Sequence, residues 1–227
     1  MHFLVIGLIL LGIVFGPGLW VKSVMARYSR PRNRYPGTGA QIARHLLDAL
    51  GLKEVSVEET DQGDHYDPVK KAVRLTPANY GQGSLTAVTI AAHEVGHAVQ
   101  DHYGYPPLAW RTRLVAWMGP AEKVGAGLLM ASPFLGAITR IPAAGMLAFL
   151  GGFLTLGMST VIHLITLPTE FDASFGRAMP MLVKGDILRP EDRTRARRLL
   201  MAAALTYVSA SLMSLLNIAR WWAILRR

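Results

Sequence analysis

Cysteine is absent from all 227 residues, which excludes disulfides and thiol chemistry. Acidic groups are scarce: 15 Asp and Glu stand against 24 Lys and Arg, a formal net charge of +9. In a soluble domain that excess would suggest nucleic-acid binding, but its distribution argues for no nucleic-acid partner. The basic residues cluster beside apolar runs, at 22–34, 189–198 and 220–227, where they can meet anionic lipid headgroups. Charged residues of either sign make up only 17%, and the mean hydropathy is +0.28. What fills the gap is uncharged apolar sequence, which predicts an integral membrane protein with one small hydrophilic lobe.

Residues 1–21 contain no Lys, Arg, Asp or Glu and are followed by Lys22, Arg27, Arg30, Arg32 and Arg34. A secretory signal peptide carries its positive charges before the apolar core, so this order predicts an uncleaved transmembrane anchor with its basic flank inside. Residues 123–167, turning at Arg140 and Pro142, are expected to form a transmembrane hairpin. Its glycines, Gly125, Gly145 and Gly152 among them, would permit close helix packing. Residues 199–227 form a C-terminal apolar helix and basic tail, with basic residues at both ends that leave its orientation open. The hydrophilic remainder is 22–122 and a return segment, 168–198. A two-span hairpin between them keeps both on one side, assigned to the cytoplasm. The expected fold class is therefore a mainly α integral membrane protein, multi-pass in the plasma membrane, with a small α+β lobe.

Within the lobe, Gly39 to Leu50 has the spacing of an amphipathic helix stopped at Gly51. Val55 to Glu59 and Ala72 to Thr76 read as short strands around a polar stretch, whose Asp64-His65-Tyr66-Asp67-Pro68 is read as a turn. Such strands offer an edge on which an extended peptide can pair.

The chemistry centres on His93-Glu94-Val95-Gly96-His97, in a helix predicted over 85–101 with Ser84 as N-cap. Positions i and i+4 of a helix share a face, so His93 and His97 can offer imidazole nitrogens to one zinc ion. Glu94 beside them can take a proton from a zinc-activated water and return it to a leaving amine. Gly96 keeps the metal side uncrowded, while Val88, Ala92, Val95 and Val99 form an apolar stripe roughly opposite the histidines.

A catalytic zinc takes three protein ligands and keeps a fourth position for water. Glu170, in Leu167-Pro168-Thr169-Glu170-Phe171-Asp172-Ala173, stands where the third apolar run meets the lobe. An ionisable group at such a junction is costly unless paired or metal-bound, which makes it the chosen third ligand. Asp172 is the nearby rival; His65, His102 and His163 are possible substitutes. His102 follows the motif so closely on its helix that it should point away, and His163 lies deeper in an apolar segment.

At this point the residues carry a resemblance. Asp64 to Pro68, Ala91 to Ala98, Gly104 to Leu108 and Leu167 to Ser174, in that order behind an apolar anchor, resemble the YugP-like family of neutral zinc metallopeptidases of bacterial membranes. The likeness spans nearly the whole chain, including Leu205-Thr206-Tyr207-Val208. It implies a membrane zinc peptidase with His93 and His97 as ligands and Glu94 as catalytic carboxylate. A more distant similarity, to the HtpX and CAAX-prenyl membrane proteases, implies Glu170-Phe171 as the third-ligand position. Those families usually carry Asp four residues after the Glu, where this chain has Ser174. A carboxylate behind the ligands is then absent or supplied by Asp172.

The resulting expectation is a zinc-dependent endopeptidase with Glu94 catalytic and His93, His97 and Glu170 on the metal, acting on a peptide or membrane-protein substrate beside the lipid bilayer. A regulatory partner and the oligomeric state stay open. The alternative is a catalytically silent, zinc-braced membrane scaffold, in which His65, His102 or Asp172 closes the fourth position.

Overall fold

A computed structural model of the chain describes residues 2–206, 208 and 209. They run α1 (His2–Tyr28), α2 (Gly39–Ala49), β1 (Ser56–Glu59), β2 (His65–Asp67), β3 (Ala72–Leu75), α3 (Pro77–Tyr80), α4 (Leu85–His102), α5 (Pro106–Thr139) and α6 (Pro142–Ile165). Then come α7 (Leu167–Phe171), a π-helix (Asp172–Ala178), α8 (Met179–Lys184), a 3₁₀ turn (Pro190–Asp192) and α9 (Arg193–Ala204). The described residues fall into two compact units, one drawing on 2–18 and 110–166, the other on Leu19–Ala109 and Leu167–Thr206.

The expected membrane architecture is corrected here. Among the described residues, no helix is long and apolar enough to cross a membrane, and the fold is mainly α with one small sheet. The run 1–21 and the start of 123–167 do not match helix bounds, whereas α6 and the turn at Arg140 fall where the expected hairpin has them. The expected anchor, 1–21, is part of a helix that continues through Lys22 and Arg27 and buries Val21 and Val24 in protein. In place of the expected transmembrane hairpin, α5 begins well before the apolar run and carries Arg111 and Arg113, with Pro120 and Pro133 inside it. The start of the expected C-terminal apolar helix is apolar because it is core: Leu199, Leu200, Ala202 and Ala204 are fully buried at the end of the amphipathic α9. The remainder of that run, from 210 onward, lies outside the described residues.

In the first unit, α5 and α6 fold back on each other around Arg140, whose φ of 58° makes the turn. Glycine permits their approach. A Cβ on Gly152 would lie 2.5 Å from the Gly125 carbonyl oxygen, and one on Gly145 2.7 Å from that of Ser132.

In the second unit, the sheet has the order β1-β3-β2, with β1 parallel to β3 and β2 antiparallel to it. The stretch read as a turn is therefore a third strand: Tyr66 pairs with Val73 and is buried, while its neighbours are half-exposed. A strand of three residues with one inward side chain carries too little alternation to be recognised. Helix α2 forms as its sequence predicts, with Thr38 and Gln41 completing a reciprocal capping box and Gly51 leaving at φ 76°.

Helix α4 is the axis of this unit. Ser84 Oγ accepts the Ala87 N–H at 3.1 Å to cap it, and every residue from Leu85 to Gln100 is buried. Val88, Ala92 and Val95 belong to the hydrophobic core, α4 packs against α2, the sheet, the π-helix and α9, and the π-helix meets it at Gly96 and His93. The face that carries the histidines is thus packed as closely as the apolar one.

The return segment is fastened by Asp192, which is fully buried. Arg34 grips it at 2.5 Å and 2.9 Å, Tyr35 donates its hydroxyl at 2.8 Å, and Arg195 donates at 2.9 Å. Burial alone would raise the Asp192 carboxyl, but Arg34, Tyr35 and Arg195 together hold it below its ordinary 3.8. The unfolded chain therefore binds the proton more readily than the folded one, so stability rises with pH through this range. The contribution is full above 3.8 and is lost as pH falls through the lower folded value. Asp192→Asn is expected to cost about 3 kcal/mol at neutral pH, the low end for breaking a buried pair because Arg34 is not wholly shielded. In denaturant titrations the gap between wild type and variant should stay constant above about pH 5 and narrow below about pH 4.

Candidate metal centre

His93 and His97 lie one turn apart on α4 with 4% exposure each, their rings edge to face at 4.8 Å between centroids. Glu170 reaches them from α7 with 1% exposure. Its Oε2 stands 3.3 Å from His93 Nε2 and 3.4 Å from His97 Nε2. One donor atom from each of the three residues fits within 4.8 Å, and among the described residues these three alone form such a group. Burial by itself pushes the Glu170 carboxyl up, but His97 and His93 more than offset this and hold it well below the usual carboxylate range.

The donor set and its spacing fit zinc. Two donors about 2.05 Å from one ion at the tetrahedral angle lie about 3.3 Å apart. The two edges match that separation, and among the described residues two imidazole nitrogens and one carboxylate oxygen are the donors that converge. Glu94, 6% exposed and next to His93, stays outside the cluster of donors.

Gly96 has a different task from the one its sequence position implies. A Cβ there would lie 2.7 Å from the Ala173 carbonyl oxygen. The room left by the missing side chain is taken by the π-helix backbone, so Gly96 admits the segment that carries Glu170.

Two residues stand behind the ligands: Gln100, which the sequence reading does not single out, and Ser174, which it notes only as a position without a carboxylate. Gln100 Oε1 lies 2.9 Å from His97 Nδ1, and its Nε2 donates to the Thr169 carbonyl at 2.9 Å and to Asp172 Oδ2 at 2.8 Å. Ser174 Oγ lies 3.1 Å from His93 Nδ1 and donates to the Leu200 carbonyl at 3.1 Å. For Gln100 the only available signal was position, three residues after His97 on the same helix.

The remaining candidates lie elsewhere. Asp172 is occupied by Gln100 and by Arg177 Nε at 3.3 Å. His65 Nδ1 sits 2.8 Å from its neighbouring Gly63 carbonyl, and Tyr66 donates its hydroxyl to Asp101. His102 is half-exposed, 3.9 Å from Glu54. The side chain of His163 lies outside the described residues.

Comparison with known proteins adds to this geometry. The family model described as "Putative neutral zinc metallopeptidase" matches residues 3–226. The chain belongs to this family. The neutral zinc metallopeptidases include a relative from Bacillus subtilis (strain 168), "Putative membrane protease YugP", 36% identical over 224 residues, which cover 97% of this chain and 95% of the relative. No solved structure matches the chain. Membership in a zinc peptidase family and a buried His-His-Glu cluster agree on a metal-dependent peptidase.

Proposed function

We propose that this neutral zinc metallopeptidase is an endopeptidase with His93, His97 and Glu170 as zinc ligands and Glu94 as general base and acid. The observation that carries the reading is the single carboxylate oxygen of Glu170 at tetrahedral-edge distance from both imidazole Nε2 atoms. Zinc held there would lower the pKa of water and polarise a peptide carbonyl. Glu94 takes the proton from the attacking water as its oxygen bonds to the carbonyl carbon. The same carboxyl then gives that proton to the amide nitrogen as the C–N bond breaks, leaving Glu94 as it began.

A group of three donors, with no fourth among the described residues, favours catalysis over a zinc-braced scaffold. His65, His102 and Asp172, the residues that could have supplied one, are engaged elsewhere. Action at the bacterial plasma membrane is supported by the relative's name and by exposed Leu11, Ile13 and Leu19 ahead of Lys22 and Arg27 on α1. Basic side chains on α1 and α9 suit the anionic cytoplasmic leaflet. The substrate is a peptide or an accessible segment of a membrane protein.

Cleavage of a broad peptide library by the purified full chain tests the reading. Activity should track bound zinc, disappear after removal with a chelator, and return on adding zinc at one ion per chain. Cleavage that persists in fully zinc-depleted protein would overturn it.

A further inference from the structure

We propose that Gln100 and Ser174 are positioning residues that lock both imidazoles with hydrogen on Nδ1, and that Gln100 also couples metal affinity to the seating of the Glu170 segment. This rests on the reading of His93, His97 and Glu170 as zinc ligands, although the tautomer assignment stands on hydrogen-bond geometry alone.

For Gln100 the assignment follows from what its neighbours cannot do. A main-chain carbonyl has no hydrogen to give, so the amide corner 2.9 Å from the Thr169 oxygen must be the NH₂. The other corner, facing His97 Nδ1 at 2.9 Å, is then a carbonyl oxygen that can only accept. His97 Nδ1 must therefore carry hydrogen, which leaves Nε2, the nitrogen beside Glu170, as the one that can bind a metal.

At His93 a hydroxyl does the same work. Ser174 has a single hydrogen, and its one partner that cannot donate is the Leu200 carbonyl, 3.1 Å away. Its oxygen is left to accept from His93 Nδ1, 3.1 Å away, so that Nε2 again faces Glu170.

The two supports differ in reach. Ser174 joins the π-helix to the ligand helix and α9. Gln100 joins His97 directly to the main chain of Thr169, the residue before Glu170, and to Asp172 beyond it, a contact reinforced by Arg177. A single buried amide therefore orients one ligand and holds the segment that supplies another. Partners of this kind are worth about 10–100-fold in metal affinity.

The experiment measures zinc affinity of the full chain by competition with a chromophoric chelator, records ¹⁵N imidazole spectra of zinc-free protein, and follows hydrogen exchange over 167–178. Wild type should give Nδ1–H at both histidines. Gln100→Leu and Ser174→Ala should each weaken zinc by about 10–100-fold. Gln100→Glu keeps an acceptor for His97 but has no hydrogen for Thr169 or Asp172. It should retain the His97 tautomer, weaken zinc, and speed exchange in 167–178. Adding Asp172→Asn, whose amide can donate to the introduced carboxylate, should recover part of both losses.

Affinities within twofold of wild type in all these variants, or an Nε2–H tautomer at either histidine, would overturn the proposal. If Gln100→Leu fails to fold, the Gln100→Glu pair decides. Wild type that binds no zinc yet has both Nδ1–H tautomers would overturn the zinc reading while supporting the orienting roles.

Discussion

Glu94→Gln is expected to lower peptide hydrolysis by about 10²–10⁴-fold while leaving zinc in place. The substitution is nearly isosteric, so packing around α4 is preserved where Glu94 is 6% exposed. What changes is proton chemistry: a neutral amide can neither take a proton from water nor hand it to the leaving nitrogen. Because Glu94 stands outside the donor cluster formed by His93, His97 and Glu170, its loss should not empty the site. Zinc content and single-turnover cleavage, measured on the same preparation, separate these effects. A variant that cleaves at the wild-type rate would remove Glu94 from the mechanism, whereas one that loses zinc would make it a ligand.

Glu170→Gln should have the opposite signature, losing metal and activity together. Glu170 is the only carboxylate among the three donors, and its one oxygen spans both imidazoles at 3.3 Å and 3.4 Å. An amide of the same volume fills the space but supplies a much poorer ligand. The expected loss of zinc affinity exceeds the about 10–100-fold attached to residues that only orient a ligand. Chelator competition would read it directly. Wild-type affinity in this variant would pass the third-ligand role to another carboxylate, with Asp172 the nearest in sequence.

These two predictions draw on different depths of the sequence. The pair His93 and His97 is legible because a helix brings positions four apart to one face, a purely local consequence of backbone geometry. Glu170 stands out in the sequence because an ionisable group at the end of an apolar run needs a partner. Its approach to the histidines is a tertiary fact made possible by Gly96, where a Cβ would collide with the Ala173 carbonyl. Gln100 lay hidden because glutamine on a helix is ordinarily a solvated residue, and only the packing of the segment 69 residues onward buries it completely.

The fold was legible where patterns are local and misleading where they are not. Thr38, Gln41 and Gly51 mark both ends of α2, and Ser84 marks the start of α4, because capping involves atoms only a few residues apart. Strand β2 was missed because three residues carry no usable alternation. The apolar runs misled most. Hydropathy records that a segment avoids water without recording whether lipid or protein replaces it. At Val21, Val24, Leu199 and Leu200 the replacement is the protein's own core.

By itself, then, the sequence determined the local part of the candidate site: two histidines one turn apart on one helix face, a glutamate beside the first, and a chain without cysteine. Tertiary structure alone decided which distant carboxylate meets the histidines, which nitrogen of each ring faces it, and where the apolar residues are buried. The division has a physical cause. Local spacing is fixed by backbone geometry within a few residues, whereas ligand convergence and tautomer choice depend on atoms brought together by packing from opposite ends of the chain.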